Sequence, residues 1–165
     1  MSAPTFTDRN GAAIAHDGRA SIVWRPSIYV VAVRDGALLL TRTSWSKRLM
    51  LPGGEADVAE ALTNGAIREC HEETGYVFEP DLGGPIFVGE RFFFHEGYRH
   101  ALVFGLRGRI VGAGDPAWAL PADEIAEVVW APLASLSREH LHPLSWDVLS
   151  AVGLLPRPGQ TGAFS

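Results

Sequence analysis

The chain has 165 residues, of which 47% are hydrophobic and 20% charged, and its formal net charge is −5. This length and composition predict a single domain over residues 1–165, with flexible tails at 1–11 and 156–165. A negative chain without a basic stripe argues against a nucleic acid polymer as a partner. The single cysteine excludes an intrachain disulfide. We expect a cytoplasmic protein without membrane association, because no signal peptide or long apolar run is present.

The sequence pattern of the first third of the chain predicts strands and turns. The pattern predicts a small hairpin over Ala12–Trp24 that turns at residues 16–18. The nearly continuous apolar run Ser27–Val33 is typical of a strand covered on both faces. Asp35–Gly36 is a hairpin turn signal, and we expect the chain to return as a strand over Ala37–Thr41.

Residues 54–76 contain six acidic residues, and Arg68 is the only lysine or arginine among them. We predict a helix from about Glu60 to Thr74. Within it, Glu69, Glu72 and Glu73 are spaced i, i+3, i+4, so they meet on one face and repel each other. A hard divalent cation, which prefers oxygen ligands, would relieve this repulsion. The alternative is an ordinary solvated acidic helix.

The helical phase favours a cation site over a solvated acidic helix. At about 100° per residue, an apolar stripe runs along one face, and Glu69 and Glu73 flank this buried stripe. Arg68 falls on the face predicted to meet solvent. Gly65 leaves room for a close approach, and Gly75 is a plausible left-handed cap. The stripe consists of Leu62, Ala66 and Cys70, and the predicted solvent face of Asn64, Arg68 and His71.

The second half predicts further strands and one more helix. The strands are expected at Tyr76–Glu79, Pro85–Phe94, Tyr98–Val111 and Glu127–Trp130, and the helix at Pro143–Val152. A loop rich in Gly, Pro and Ala spans 113–122. Strands on both sides of one central helix, with a second helix at the end, predict a mixed sheet sandwiched between helices.

The acidic segment resembles the Nudix box, G-x5-E-x7-R-E-U-x-E-E-x-G-U, in which U is a bulky apolar residue. All seven fixed positions are filled, by Gly54, Glu60, Arg68, Glu69, Glu72, Glu73 and Gly75. Tyr76 is a usual occupant of the second apolar position, whereas Cys70 is small for the first. The resemblance implies an α+β fold, a Nudix-like α/β/α sandwich with a mixed β-sheet between helices.

The resemblance also implies an activity. Nudix hydrolases cleave the pyrophosphate linkage of a nucleoside diphosphate joined to another moiety X, using Mg²⁺, for which Mn²⁺ can substitute. We therefore expect a small-molecule nucleotide diphosphate as the substrate, and a homodimer, since relatives are often dimers. The alternatives are a module that senses nucleotides without cleaving them and a hydrolase of a non-nucleotide diphosphate.

By the same resemblance, Glu69, Glu72 and Glu73 are the metal ligands, assisted by the Gly53 carbonyl. Glu69 could instead act as the base that deprotonates water, and Glu124, in a later loop, is the preferred additional ligand or base. Glu127 and Glu90 are further candidates, although both also fit ordinary surface positions. The remaining box residues, Gly54, Glu60, Arg68 and Gly75, are interpreted as structural.

Substrate recognition is less well determined by the sequence. Arg42 and Trp45, near the start of the box, could contact a phosphate or stack on a base. Arg25 and Tyr29, on the early strand, are comparable candidates. For each of the four, ordinary surface or core packing is the favoured interpretation. The run Arg91–Phe94 is interpreted as sheet packing.

Overall fold

The computed structural model describes residues 4–8, 11–114 and 125–157. The described residues form two helices, α1 (Leu62–Thr74) and α2 (Pro143–Ala151), and a short 3-10 helix at Leu133–Ser135. They also form ten strands: β1 (Phe6–Thr7), β2 (Ala13–Ile14), β3 (Ile22–Arg34), β4 (Ala37–Thr43), β5 (Leu49–Met50), β6 (Gly53–Glu55), β7 (Tyr76–Pro80), β8 (Phe87–Phe94), β9 (Tyr98–Ala113) and β10 (Ile125–Pro132).

These strands form one mixed sheet with β3 near its centre. The order is β10–β4–β3–β9–β8–β1–β2, and β5, β6 and β7 pair with β4, β3 and β9. Strand β3 pairs with β9 in parallel, from Ile22 opposite Tyr98 to Ala32 opposite Gly108. On its other side, residues 27–29 of β3 pair with the short β6, which leads into α1. The sheet therefore carries the start of the acidic segment at its centre.

Each face of the sheet is covered by one helix. On one face, Ile28, Val30 and Ala32 of β3 pack with Ala66 and Cys70 of α1. On the other face, a second cluster joins the sheet to α2 and includes Val31, Ala101, Val103, Trp146, Val148 and Leu149. The predicted sandwich of a mixed sheet between helices is thus confirmed. No helix in the described ranges is long and apolar enough to span a membrane.

The hairpin predicted at Asp35–Gly36 is confirmed as the connection between β3 and β4. Asp35 has φ 51° and Gly36 has φ 75°, as the favoured two-residue hairpin turn requires at both central positions. The strand predicted at Ser27–Val33 lies within the longer β3, and its residues from Ser27 to Ala32 are buried or half-buried.

The N-terminal region differs from the sequence-based expectation in two respects. The hairpin predicted over Ala12–Trp24 is wrong, because β2 pairs with β1 and not with β3. Residues 1–11 were expected to form a flexible tail, but Phe6 and Thr7 within that range form β1. The Phe6 ring is fully buried and lies edge-on to Phe92 and Tyr98, which anchors this short strand.

Candidate active site

The acidic segment folds as a strand, a loop and a helix. Strand β6 pairs with β3, and α1 begins after Ala61 and ends at Gly75. Gly75 has φ 69° and its N–H donates to the His71 carbonyl at 2.8 Å, which confirms the predicted left-handed cap. The helix and the strand hold the carboxylates from two sides.

Arg68 forms hydrogen bonds to several residues of this segment. Its guanidinium group donates to both carboxylate oxygens of Glu60 at 2.9 Å, to Glu69 at 2.9 Å and to Glu72 at 3.0 Å. It also donates to the Glu55 carbonyl at 3.0 Å. The prediction that Arg68 faces solvent is therefore wrong. Strand β6 and the following loop fold over that side of α1 and leave the Arg68 side chain 28% exposed.

These contacts set the ionisation of the Glu60 carboxylate. Hydrogen bonding to Arg68 holds the pKa of Glu60 below its ordinary value, and the same contacts raise the pKa of the Arg68 guanidinium. The N–H of Asp57 also donates to Glu60 at 3.0 Å. Glu60 and Arg68 thus form a charged scaffold that ties the loop to the helix.

The side chains of Glu69 and Glu73 extend from α1 to Gly53 and Gly54 of β6. Glu69 is only 9% exposed, and a Cβ added to Gly54 would lie 2.9 Å from both of its carboxylate oxygens. Glu73 accepts a hydrogen bond from the Gly53 N–H at 3.0 Å. Burial raises the pKa of Glu69, and the Arg68 charge opposes this shift. Two carboxylates and the Gly53–Gly54 backbone therefore converge.

Close packing explains two of the glycines. Gly53 has φ 145°, and an added Cβ would lie 2.0 Å from the Ile28 carbonyl oxygen. A Cβ on Gly65 would lie 2.5 Å from Ile28 Cδ1 and 2.9 Å from a Glu60 oxygen. The room left by Gly65 is therefore filled by the sheet and by the Glu60 carboxylate.

The structure brings two of the four predicted substrate-binding residues next to this cluster. Tyr29 of β3 lies opposite Gly53 and is half-buried. Burial, together with the negative charges of Glu73 and Glu69, raises the pKa of its phenol. Tyr29 therefore stays protonated and can donate a hydrogen bond. Arg25 forms an ion pair with Glu55 of β6.

The other two candidates lie on β4 and the loop after it. Arg42 donates to Glu127 of β10 at 2.9 Å, and also to the Lys47 carbonyl. The Trp45 ring lies edge-on to His142 at 6.3 Å. Both have protein partners that hold β10 and the start of α2 near this loop, so packing is part of their role.

Three further acidic candidates are separate from the cluster or lie outside the described residues. Glu127 is exposed and paired with Arg42. Glu90 of β8 is exposed and lies 3.4 Å from His100. Glu124 falls outside the described residues, so its predicted catalytic role stays a prediction.

Within residues 4–8, 11–114 and 125–157, no three His, Cys, Asp or Glu side chains form a ready-made metal site. Arg68 bridges Glu69 and Glu72 here, and Glu73 accepts a hydrogen bond from the Gly53 N–H. The donor set nevertheless fits a hard cation, since it consists of carboxylates and backbone oxygens. The buried Glu69 in particular would be stabilised by an added positive charge.

Comparison with known proteins agrees with this geometry. A model of the NUDIX domain matches residues 23–152, most of the chain, so the chain belongs to the NUDIX domain family. With its fold and its intact box, it is a pyrophosphohydrolase of the Nudix class. Nudix hydrolases generally use divalent metal ions. A search of curated protein sequences finds no match.

Several solved structures share the fold. A NUDIX hydrolase from Nitrosomonas europaea matches with a TM-score of 0.65 and 21% identity, over 77% of this chain and 86% of that chain. A MutT NUDIX hydrolase from Burkholderia pseudomallei matches with a TM-score of 0.61 and 22% identity, over 79% and 98%. An ADP-ribose pyrophosphatase from Streptococcus suis matches with a TM-score of 0.56 and 15% identity, over 78% and 88%.

One charged residue whose charge acts on Tyr29 was missed by sequence reasoning. Arg91 of β8 was grouped with the packing run Arg91–Phe94, and Phe93 does pack against the core on the α2 side. Arg91 itself forms an ion pair with Asp147 of α2, and its charge acts on the Tyr29 phenol. Only the pairing of β8 with β9 places it there, and no local sequence pattern encodes that pairing.

Proposed function

We propose that the protein catalyses Mg²⁺-dependent hydrolysis of the pyrophosphate linkage in a nucleoside diphosphate joined to another moiety X. Nucleoside triphosphates, nucleotide sugars and dinucleotides belong to this substrate class. The observation that carries the proposal is the convergence of Glu69 and Glu73 on Gly53 and Gly54. The fold match to an ADP-ribose pyrophosphatase supports the nucleotide class.

The residues that would hold the cation are Glu69, Glu72, Glu73 and the Gly53 carbonyl. A bound divalent cation spreads the negative charge of the diphosphate and acidifies a bound water. Arg68 keeps Glu69 and Glu72 beside each other through contacts of 2.9 and 3.0 Å. Tyr29, which lies opposite Gly53, keeps its phenol protonated and would donate to a substrate oxygen.

If Glu69 is not itself a ligand, it is the better supported candidate for the base among the described residues. Its burial raises its pKa, which makes its carboxylate a stronger proton acceptor than an exposed glutamate. Glu124 is the alternative. Glu69→Gln and Glu124→Gln should be compared by kcat. We expect Glu69→Gln to lose most of kcat, and the opposite ranking would assign the base to Glu124.

The metal ligands are tested with Glu72→Gln and Glu73→Gln, with Glu79→Gln as the control, and the substrate class is tested with a panel of nucleotides. Glu79 is an exposed glutamate that pairs with Arg109. Release of nucleoside monophosphate from ATP, ADP-ribose and a nucleotide sugar is measured with Mg²⁺, and kcat/KM is compared. Glu72→Gln and Glu73→Gln should lose most activity and the control none. Full turnover in both would refute the assignment of the ligands, and binding without turnover in the wild type would indicate a sensing module.

The expected homodimer and cytoplasmic location stay predictions. Light scattering of the purified protein measures the first, and localisation of a tagged chain in its host cell measures the second.

A further inference from the structure

Two arginines lie in one row of the sheet, on the face covered by α2. Arg25 of β3 and Arg91 of β8 are both opposite Ala101 of β9. Residues paired in this way point to the same face of a sheet, and their Cα atoms are about 10 Å apart, two strand spacings. The short, buried Ala101 side chain lies between them, so two long cationic side chains flank one small residue.

This row continues towards the carboxylate cluster. Tyr29 is four residues beyond Arg25 on β3, so it points to the same face. Its phenol is acted on by the negative charges of Glu73 and Glu69 and, in the opposite sense, by the positive charge of Arg91. Tyr29 also lies opposite Gly53, whose N–H donates to Glu73, so strand β3 connects the arginine row to the acidic cluster.

The two arginines differ from Arg68 in how they are paired. Arg68 holds Glu60, Glu69 and Glu72 together. Arg25 pairs with Glu55 and Arg91 pairs with Asp147, and in both pairs the side chains are partly exposed. Partly exposed ion pairs contribute little net stability, so a phosphate group can replace the carboxylate. Arginine is suited to this exchange because its planar group binds phosphate through two hydrogen bonds.

Space for a ligand adjoins Asp147. Together with Ser150, Ala151 and Arg157, Asp147 lines an open surface depression of about 540 Å³. If Asp147 turned towards this depression, it would release Arg91. Arg157 adds a further positive charge at its wall.

We propose that Arg25 and Arg91 form a subsite for the third phosphoryl group of a nucleoside triphosphate. This inference rests on the proposed function, because it assumes that the cluster on α1 holds the neighbouring diphosphate. Arg91 would be a specificity residue that favours a triphosphate chain over a diphosphate that ends in a sugar. Asp147 would hold Arg91 in place until the phosphate arrives.

The kinetic test compares Arg91→Gln with the wild type on ATP and on ADP-ribose. We expect KM for ATP to rise at least tenfold with kcat within about threefold, the pattern of lost binding that is equal in ground and transition states. KM for ADP-ribose should change less than threefold. Arg109→Gln is the matched control, because Arg109 is also a strand arginine in an ion pair. An equal rise for both substrates, or no rise for ATP, would overturn the proposal.

A binding test separates this proposal from the proposed function. Inorganic tripolyphosphate is added in EDTA at low salt, and its ³¹P line broadening is measured with each variant. Wild type, Asp147→Asn and Arg109→Gln should broaden the signal, whereas Arg91→Gln and Arg25→Gln should reduce the effect at least fivefold. Equal losses in Asp147→Asn and Arg91→Gln would show that Arg91 only holds α2, and would refute the subsite. This result is readable even if the wild type hydrolyses no nucleotide.

Discussion

Replacing Arg68 with methionine tests the charged scaffold directly. The change keeps much of the aliphatic stem but removes every hydrogen bond to Glu60, Glu69 and Glu72. The Glu60 and Glu69 side chains are only 15% and 11% exposed, so they would stay charged and largely buried without a partner. Removing one member of a buried ion pair costs about 3–5 kcal/mol. Because Arg68 is itself partly exposed, we expect a loss of about 3 kcal/mol, or roughly 6–12 °C in Tm.

The pH dependence of this loss has a definite sign. In the wild type, Arg68 lowers the pKa of Glu60 below its ordinary value of 4.5. That pair therefore stabilises the fold above pH 4.5, and the contribution disappears as the pH falls through the lowered pKa. The pKa of Glu69 is already raised by burial, and it should rise further without Arg68. Protonation of Glu60 and Glu69 in the variant then removes their mutual repulsion. The difference in the free energy of unfolding between the variant and the wild type should therefore narrow as the pH falls from 7 to about 4.5.

The assay is urea unfolding followed by circular dichroism at several pH values. Arg109→Met is the matched control, since it removes an exposed pair with Glu79, and its midpoint should stay at the wild-type value. Added Mg²⁺ should stabilise Arg68→Met more than the wild type, because the freed carboxylates lack their internal cation. A loss below 1 kcal/mol at pH 7, or a loss independent of pH, would refute the scaffold role of Arg68.

Three further predictions concern the packing around the helix. Gly65→Ala gains about 1 kcal/mol of helix propensity, but its Cβ would meet Ile28 Cδ1 at 2.5 Å, so urea unfolding should show a net loss of about 1 kcal/mol in stability. Ile28→Val removes the Cδ1 atom, so adding it to Gly65→Ala should recover part of that loss. Additive losses in the double variant would contradict the clash. Gly54→Ala would push on the Glu69 carboxylate from 2.9 Å, so kcat/KM should fall at least tenfold while Tm changes little, whereas unchanged kcat/KM would contradict the close approach. Burial raises the pKa of Cys70 to about 11, so iodoacetamide at pH 8 should label the native protein at least a hundredfold more slowly than the unfolded chain, and similar rates would contradict its burial.

Local patterns predicted most of the central fold. The apolar run of β3, the Asp35–Gly36 turn and the Gly75 cap are each encoded by residues adjacent in sequence, and each is confirmed. The box also identified α1 and the family. These features follow from periodicity and turn chemistry, which depend little on the rest of the chain.

The features that the sequence did not reveal depend on distant partners. Phe6 is buried by Phe92 and Tyr98, which lie far along the chain, so its polar neighbours in sequence suggested a tail. Arg68 lies on the outer face of an isolated helix, and only the fold of β6 and the following loop over that face covers part of it. The row of Arg25 and Arg91 arises from strand register, which pairs both residues with Ala101.

The central claim is that the carboxylates of α1 bind a divalent cation for attack on a diphosphate. The most direct measurement is a Mn²⁺ titration followed by electron paramagnetic resonance, with and without a non-hydrolysable nucleotide analogue. The wild type should remove free Mn²⁺ from solution, and more strongly with the analogue. Glu73→Gln should weaken this binding at least tenfold, while Glu79→Gln should leave it unchanged. Equal binding by Glu73→Gln and the wild type, or no binding even with the analogue, would contradict the claim.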